Sequence, residues 1–505
     1  MAHSHPRRRR LYPAPLCAVI LFALSLPAAQ AFDLRFNGVS RTIPTEAQLH
    51  ALVYSIRSGK TIERGISLAE MLPPLVDAWR IECAGDGETK SWEGDGLADR
   101  LSAFRIVETP SGGWDFLAPD ARLRSLRSIN VSGDPAQERE LEIWLSWEGV
   151  PELKAEIERW ATMTGTRLRT VDVPDTRSKL LAVLRGGGRV PDLIMIQSDN
   201  VPDLIAAQAL QPLDRLDAAP IVPKGLSAFA SEGRRWAQPF YFDAQLVFFN
   251  RILMPSPPSL AWTTDDLEKL AVQAKRAGKT ALSWNVYSAY WLLPFAMGFG
   301  KPSIVDADGG VRPDDPGTKK AIAWILSMID AGCLEPLERD AMVARFAAGD
   351  IAMILSGSYS IPEFERIGLD FGVAPYPVVS STGKPVAPLL DFKGFAMTRS
   401  TRSPVTARRL LEYLSGVGVQ QRFATALSKL PANLEAWEVR DKASPYYAQL
   451  ARSTEIGVVI PPNTGYSIYK NTMWKILRFI LSGSMKPEAA LAEARRLIDA
   501  NLDAR

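Results

Sequence analysis

Apolar runs alternate with helical repeats from Glu140 onward. Leu141-Glu142-Ile143-Trp144-Leu145 reads as a strand, and 151–164 places Leu153, Ile157 and Trp160 at helical spacing before closing at Gly165. Residues 167–173 alternate as a second strand, and 178–184 form a helix that Gly186-Gly187-Gly188 ends. Asp192-Leu193-Ile194-Met195-Ile196 is an apolar run of the kind covered on both faces of a parallel sheet. With a helix over 201–209, the order strand, helix, strand, helix, strand predicts a doubly wound α/β lobe. A second α/β lobe follows. It has an apolar strand at 245–250, a helix over 265–277 capped by Thr263 or Thr264, and helices over 318–331 and 339–348. Strands at 351–355 and 394–397 and helices over 404–414, 469–481 and 487–500 complete it.

Residues 32–135 follow a different pattern. Leu68, Met71, Leu72 and Leu75 predict a helix over 66–79, interrupted by Pro73-Pro74. A strand is expected at 78–83, a turn at Gly85-Asp86-Gly87, a short helix at 97–101, and strands at 114–117 and 129–131. This is a small α+β domain without a catalytic signature, and Gly133-Asp134-Pro135-Ala136 reads as the linker behind it. Ahead of it, Arg7 to Arg10, an apolar run over 16–26 and Ala29-Gln30-Ala31 form a cleavable export signal, with a mature start at Phe32. The run is too short to span a bilayer comfortably.

Composition narrows the chemistry. The 505 residues are 47% hydrophobic and 23% charged, an ordinary globular balance long enough for about three lobes. A net charge of +3, near neutral once the signal is removed, is no nucleic-acid footprint. The three histidines are His3, His5 and His50, so a mature chain keeps only His50. That excludes a His-rich metal site and leaves nucleophilic triads one histidine to draw on. No metal or cofactor is expected. Cys83 and Cys333 read as two buried thiols, although an exported chain permits a disulfide. Gly186-Gly187-Gly188-Arg189 lacks the Gly-Lys-Ser/Thr ending of a phosphate loop and follows a helix rather than opening one.

Candidate site residues fall at element ends. Trp147, Trp284, Tyr290, Tyr359, Tyr466 and Tyr469 offer aromatic faces for the C–H faces of a sugar, with polar edges beside them, although any one of them can equally be core. Ligands of α/β sheets bind outside the carboxyl ends of strands. Glu148, Asp199 and Asp243 each follow an apolar strand and can accept hydrogen bonds from hydroxyls. Two such carboxylates across one bond would instead make a glycosidase, and a surface loop charge is the plainest alternative.

From about residue 140 to the C-terminus the chain resembles the extracellular solute-binding proteins of ABC-type sugar importers, the maltose-binding family above all. Ile143-Trp144-Leu145 matches the family's first strand, and Gly187 to Ile194 its G-x-x-P-D-hydrophobic motif. Ala237-Gln238-Pro239-Phe240 with Leu246 to Arg251 matches the hinge strand and its Y-N-basic signature. Pro258 with Trp262-Thr263, Arg345 to Met353 with Gly357, and Gly483 to Leu491 match three further elements in order. The resemblance implies a two-lobed fold behind the accessory domain. One lobe is 140–242 with about 393–445, and the other about 246–390 with 446–505. It further implies a periplasmic, non-enzymatic monomer that closes on a carbohydrate, oligosaccharide or polyol, and delivers it to a membrane permease. Glu148, Asp199 and Asp243 fall on family positions for acids that hold sugar hydroxyls, and Tyr290 and Tyr359 on stacking positions. Ile196, Asn200 and Ser288 depart from the family's Trp, Arg and Glu, which points to a polyhydroxylated ligand other than maltose itself. A sensory or adaptor role through 32–135 is the alternative function, and a secreted glycosidase the more distant one.

Overall fold

The structure, a computed structural model, describes residues 32–503 apart from 42, 44–48, 51, 59–60, 137–139, 215, 217–219, 257, 308 and 440–443; the expected export signal lies outside the described residues. Residues 32–135 form two five-stranded sheets around one apolar core. Among the described residues helix is short here: besides helical residues at 49, 50 and 52, Leu97–Arg100 is a single turn, with 3-10 turns at Leu68–Glu70 and Leu101–Ala103. The helix expected over 66–79 is not formed. Strand Thr61–Ser67 ends where it should begin, and strand Leu75–Gly85 starts after Pro73-Pro74. Two prolines remove two backbone donors, and Leu75, Ala78, Ile81 and Cys83 bury one side of a bulged strand. The expected linker is also strand: Leu126–Pro135 runs through Gly133 and pairs to its last residue with Leu75.

Beyond residue 140 one extended sheet links two halves. Strands Leu141–Leu145, Leu168–Asp172 and Leu193–Gln197 are parallel. The apolar residues of Leu193–Gln197 divide by parity. Leu193 and Met195 enter a core with Leu153, Ile157 and Trp160 of helix Val150–Thr164, while Ile194 and Ile196 enter the core on the other face. That two-sided burial is why the segment reads as a continuous apolar run. Leu389–Met397 pairs antiparallel with Leu193–Gln197 on one side and with Gln238–Asn250 on the other.

Gln238–Asn250 joins the halves. It is longer than the expected 245–250 strand and buried at all thirteen positions. Its first half pairs with Leu389–Met397 and its second half with Ile351–Gly357. Thr280–Trp284 and Leu334–Pro336 extend the second half in parallel. Helices Ala289–Gly298, Pro316–Asp330, Thr464–Leu481 and Pro487–Asp503 pack on one another there. Among the described residues no helix is long and apolar enough to cross a membrane. Cys83 and Cys333 are both free and buried, and burial pushes the Cys83 thiol up to about 12.

Candidate functional site

The carboxyl ends of the parallel strands in both halves lead into short turns beside the crossing strand. Ser146 to Glu148 follows Leu141–Leu145, the 3-10 turn Ser198–Asn200 follows Leu193–Gln197, and the 3-10 turn Ser358–Ser360 follows Ile351–Gly357. Asp243 sits mid-way along the crossing strand, where its pairing passes from one half to the other.

Asp243 is buried and fully engaged. The Lys429 ammonium lies 3.1 Å from both its oxygens, Lys393 Nζ is 3.1 Å from Oδ2, and Ser358 donates to Oδ1 at 2.8 Å. Lys393 also donates to Asp391 Oδ2 at 2.8 Å, and Gln197 Nε2 reaches the same oxygen at 3.1 Å. Burial opposes the charge on Asp243, but Lys429 and Lys393 outweigh it and hold the carboxyl at about 2. At Asp391 burial prevails and raises the carboxyl despite Lys393. Burial works against Lys393 too, yet Asp391 and Asp243 lift its pKa well above the ordinary lysine range. The acid expected to accept ligand hydroxyls is therefore already saturated by lysines. The group beside it that is free to meet a ligand is the half-exposed Glu148, whose Oε2 is 3.5 Å from Lys429.

The remaining expected residues divide. Asp199 is buried at the rim, with Lys470 of helix Thr464–Leu481 at 2.5 Å and Asn200 Nδ2 at 3.1 Å, so it is bridged across the two halves. Tyr359 and Tyr290 are partly buried; Lys429 stands 5.9 Å from the Tyr359 ring centre, and Tyr290 offers its carbonyl to Gln245 at 2.9 Å. Trp147 is partly buried with φ at +67° on the turn that carries Glu148. Tyr466 is almost fully covered but lies 6.0 Å from Lys470. Trp284 and Tyr469 are corrections: both are 0% exposed. Trp284 stacks on Phe295 at 5.4 Å and 7°, and Tyr469 lies in the same core. Both present ring faces to packed side chains and none to a ligand.

Lys393, Lys429, Asp391 and Gln197 escaped the sequence reading. Asp391 and Lys393 carried a signal, two opposite charges on one face of the apolar run Leu389–Met397. Lys429 carried none, since its partner is 186 positions away. Ser288, which stands where the resemblance expects Glu, caps helix Ala289–Gly298 by accepting from the Tyr290 N–H. Around Asp243, four acids (Glu148, Asp199, Asp243, Asp391) face three lysines (Lys393, Lys429, Lys470), with tyrosine rings between them. Four carboxylates against three ammonium groups leave one excess negative charge, which suits an uncharged, many-hydroxyl ligand better than an anion.

Similarity to known proteins agrees with this layout. Residues 157–450 match the model for bacterial extracellular solute-binding proteins. The chain is 24% identical over 269 residues to the maltodextrin-binding protein MdxE of Bacillus subtilis, covering 50% of this chain and 64% of that protein. It is 24% identical over 217 residues to a maltotriose-binding protein of Pyrococcus abyssi, covering 42% of this chain and 47% of that one. The matched stretch thus spans less than two thirds of either relative. Among solved structures, the GacH receptor of Streptomyces glaucescens superposes with a TM-score of 0.64 at 22% identity, over 72% of this chain and 99% of that one. The maltose/maltodextrin-binding domain of Bdellovibrio bacteriovorus, solved with maltotriose, gives 0.64 at 22% identity over 72% and 100%. These likenesses establish the two-lobed fold, and the family match over more than half its length establishes that the chain belongs to the bacterial extracellular solute-binding proteins.

Proposed function

We propose that this chain is the substrate-binding component of an ABC transporter, capturing a neutral, maltodextrin-like oligosaccharide or polyol between its lobes and presenting it to a membrane permease from the periplasmic side. The lobes on this reading are 140–242 with about 393–445, and about 246–390 with 446–505. The carrying observation is the cluster of ion-paired carboxylates and lysines around Asp243, with Glu148, Asp199, Tyr290 and Tyr359 beside the carboxyl ends of strands from both halves. The names of the two curated relatives, a maltodextrin binder and a maltotriose binder, support the ligand class. Differential affinity for the closed arrangement would drive lobe closure. A non-enzymatic role is supported by Asp243 itself: held at about 2 it is no general acid near neutral pH, and with both oxygens occupied by two lysines and Ser358 it is not free to act as base or nucleophile.

The test is isothermal titration of the chain with maltotriose, maltotetraose, sorbitol and glycerol 3-phosphate, with chromatography of the mixtures afterwards. Binding of an oligosaccharide or polyol without new products is expected. Preference for glycerol 3-phosphate, or turnover of any sugar, would sink the proposal.

A further inference from the structure

A cavity of about 270 Å³ lies where residues 54–105 meet helices Pro404–Ser415 and Val417–Leu427. It shares no lining residue with the cluster around Asp243. By the same kind of measure a single water needs on the order of 10–15 Å³, so this is room for a small organic molecule. Ile56, Leu72 and Trp160 contribute to an apolar wall, and six charged side chains reach the cavity: Glu70, Asp99, Arg105, Arg409, Glu412 and Glu435.

Most of these charges are already answered. Arg409 donates to Glu412 at 2.7 Å, to Asp99 at 3.1 Å and to the Leu75 carbonyl at 3.3 Å. Glu70 is buried and accepts from the Tyr54 hydroxyl at 2.7 Å. Two groups remain. The Arg105 guanidinium, close enough to Tyr54 to act on it electrostatically, makes no hydrogen bond or ion pair among the described residues, and Glu435 Oε2 is buried without a partner. Arg105 comes from the N-terminal sheets and Glu435 from helix Leu434–Glu438 of the solute-binding fold. They line one cavity with opposite charge, yet no ion pair joins them. A buried unpaired carboxylate oxygen is costly, and a guanidinium fork is shaped for a carboxylate.

We infer that this cavity is a second ligand site, taking a small zwitterion with an apolar body: a carboxylate on Arg105, an ammonium on Glu435, and an aliphatic or aromatic side chain against the wall, as in an α-amino acid such as leucine or phenylalanine. Its walls come from both the N-terminal unit and the solute-binding fold, so occupancy reinforces their docking by mass action.

Calorimetry on the full chain decides it, with L-leucine and L-phenylalanine as probes. Isopentylamine and isovalerate, which each keep one charge and a similar apolar body, are the controls. At least one amino acid should bind, each single-charge control at least tenfold more weakly. Arg105→Gln and Glu435→Gln should each weaken the amino acid at least tenfold while leaving maltotriose titrations unchanged. Absence of binding by both amino acids, equal binding of either control, or unchanged binding in both variants would overturn the inference. Circular dichroism checks that the variants fold; should either unfold, the controls on the unaltered protein still decide between a zwitterion site and none.

Discussion

Asp243 has lost its water shell, and two ammonium groups and one hydroxyl replace it. Removing one member of such a buried set leaves another uncompensated, typically at a cost of about 3–5 kcal/mol. Lys429→Met would leave Asp243 with Lys393 and Ser358, and Asp243→Asn would leave Lys429 with Glu148, at 3.5 Å, as its charged partner among the described residues. Each is expected to lower urea stability at pH 7 by an amount of that order. The double substitution D243N/K429M retains the Lys393–Asp391 pair, so its loss should fall well short of the sum. Strictly additive losses would show that the lysine and the aspartate are not coupled. Acid tests the same cluster. Folding takes the Asp243 carboxyl from an ordinary 3.8 to about 2, so the ionised form is favoured in the folded protein. The stability this supplies, roughly 2 kcal/mol, is complete above about pH 4 and is lost as pH falls toward 2. Asp391 acts in the opposite sense: burial raises its carboxyl, and its protonation in acid offsets part of the loss. Lys429→Met removes the larger of the two cationic contributions and brings the folded carboxyl back toward its unfolded value, so its urea midpoint, already lower at pH 7, should fall less between pH 4 and pH 2 than that of the unaltered protein.

Elements decide which way each of these side chains points. Gly357, the last residue of strand Ile351–Gly357, leaves room for the ring of Tyr359 two residues on; a Cβ there would stand 2.2 Å from one ring carbon and 2.6 Å from the next. Gly357→Ala should therefore displace Tyr359 and weaken the oligosaccharide about tenfold, or ~1.4 kcal/mol, with the urea midpoint less affected. Unchanged affinity would remove Tyr359 from the site. Periodicity made much of this scaffold legible: Leu153, Ile157 and Trp160 announce helix Val150–Thr164, and Thr263 with Asp266 forms a capping box at the start of Thr264–Arg276. Helix Ala289–Gly298 was not legible, because it is apolar on every side, contains Pro294, and so shows no 3.6-residue stripe. Over 66–79 the apolar spacing resembled a helix, and only burial on one side of a strand decides otherwise. Trp284 shows the limit for site residues. Position at a strand end was readable, but a strand's alternation places its last side chain either in the cleft or in the core, and Phe295 draws it into the core. The lysines that neutralise Asp243 arrive from strands and loops far along the chain, which no local pattern can bring together.

At the scale of the whole molecule, residues 32–135 are bound to one half of the solute-binding fold. Gln421 pairs through its side chain with both backbone groups of Ser55 at 3.2 Å, and Arg422 donates to the Leu52 carbonyl at 3.0 Å while its other nitrogens hold the buried Glu156. Arg409 reaches Leu75 and Asp99, and Arg41 reaches the Met163 carbonyl. Val417 and Ala436 belong to the core of the N-terminal sheets themselves. Every one of these partners lies on helices Val150–Thr164, Pro404–Ser415, Val417–Leu427 or Leu434–Glu438, on the side of the fold that contains Leu141–Leu145. On the proposed function, the other half would close with the N-terminal unit carried as a passenger. Removing residues 32–139 should expose Val417, Ala436 and the Arg422–Glu156 pair to water. Thermal denaturation should begin at a lower temperature, by at most about 2–4 °C per kcal/mol lost, since a longer chain shifts less than a domain of 150–250 residues. Oligosaccharide affinity should stay within about threefold, since none of the groups around Asp243 comes from the removed part. A collapse of affinity in a truncated protein that remains folded by circular dichroism would mean that the N-terminal unit shapes the cleft, and would favour a sensory coupling between the two over passive transport. An unchanged melting temperature would mean that the interface adds nothing net to stability, its apolar contacts and hydrogen bonds being offset by the desolvation of the polar groups it covers, Arg422 and Glu156 among them.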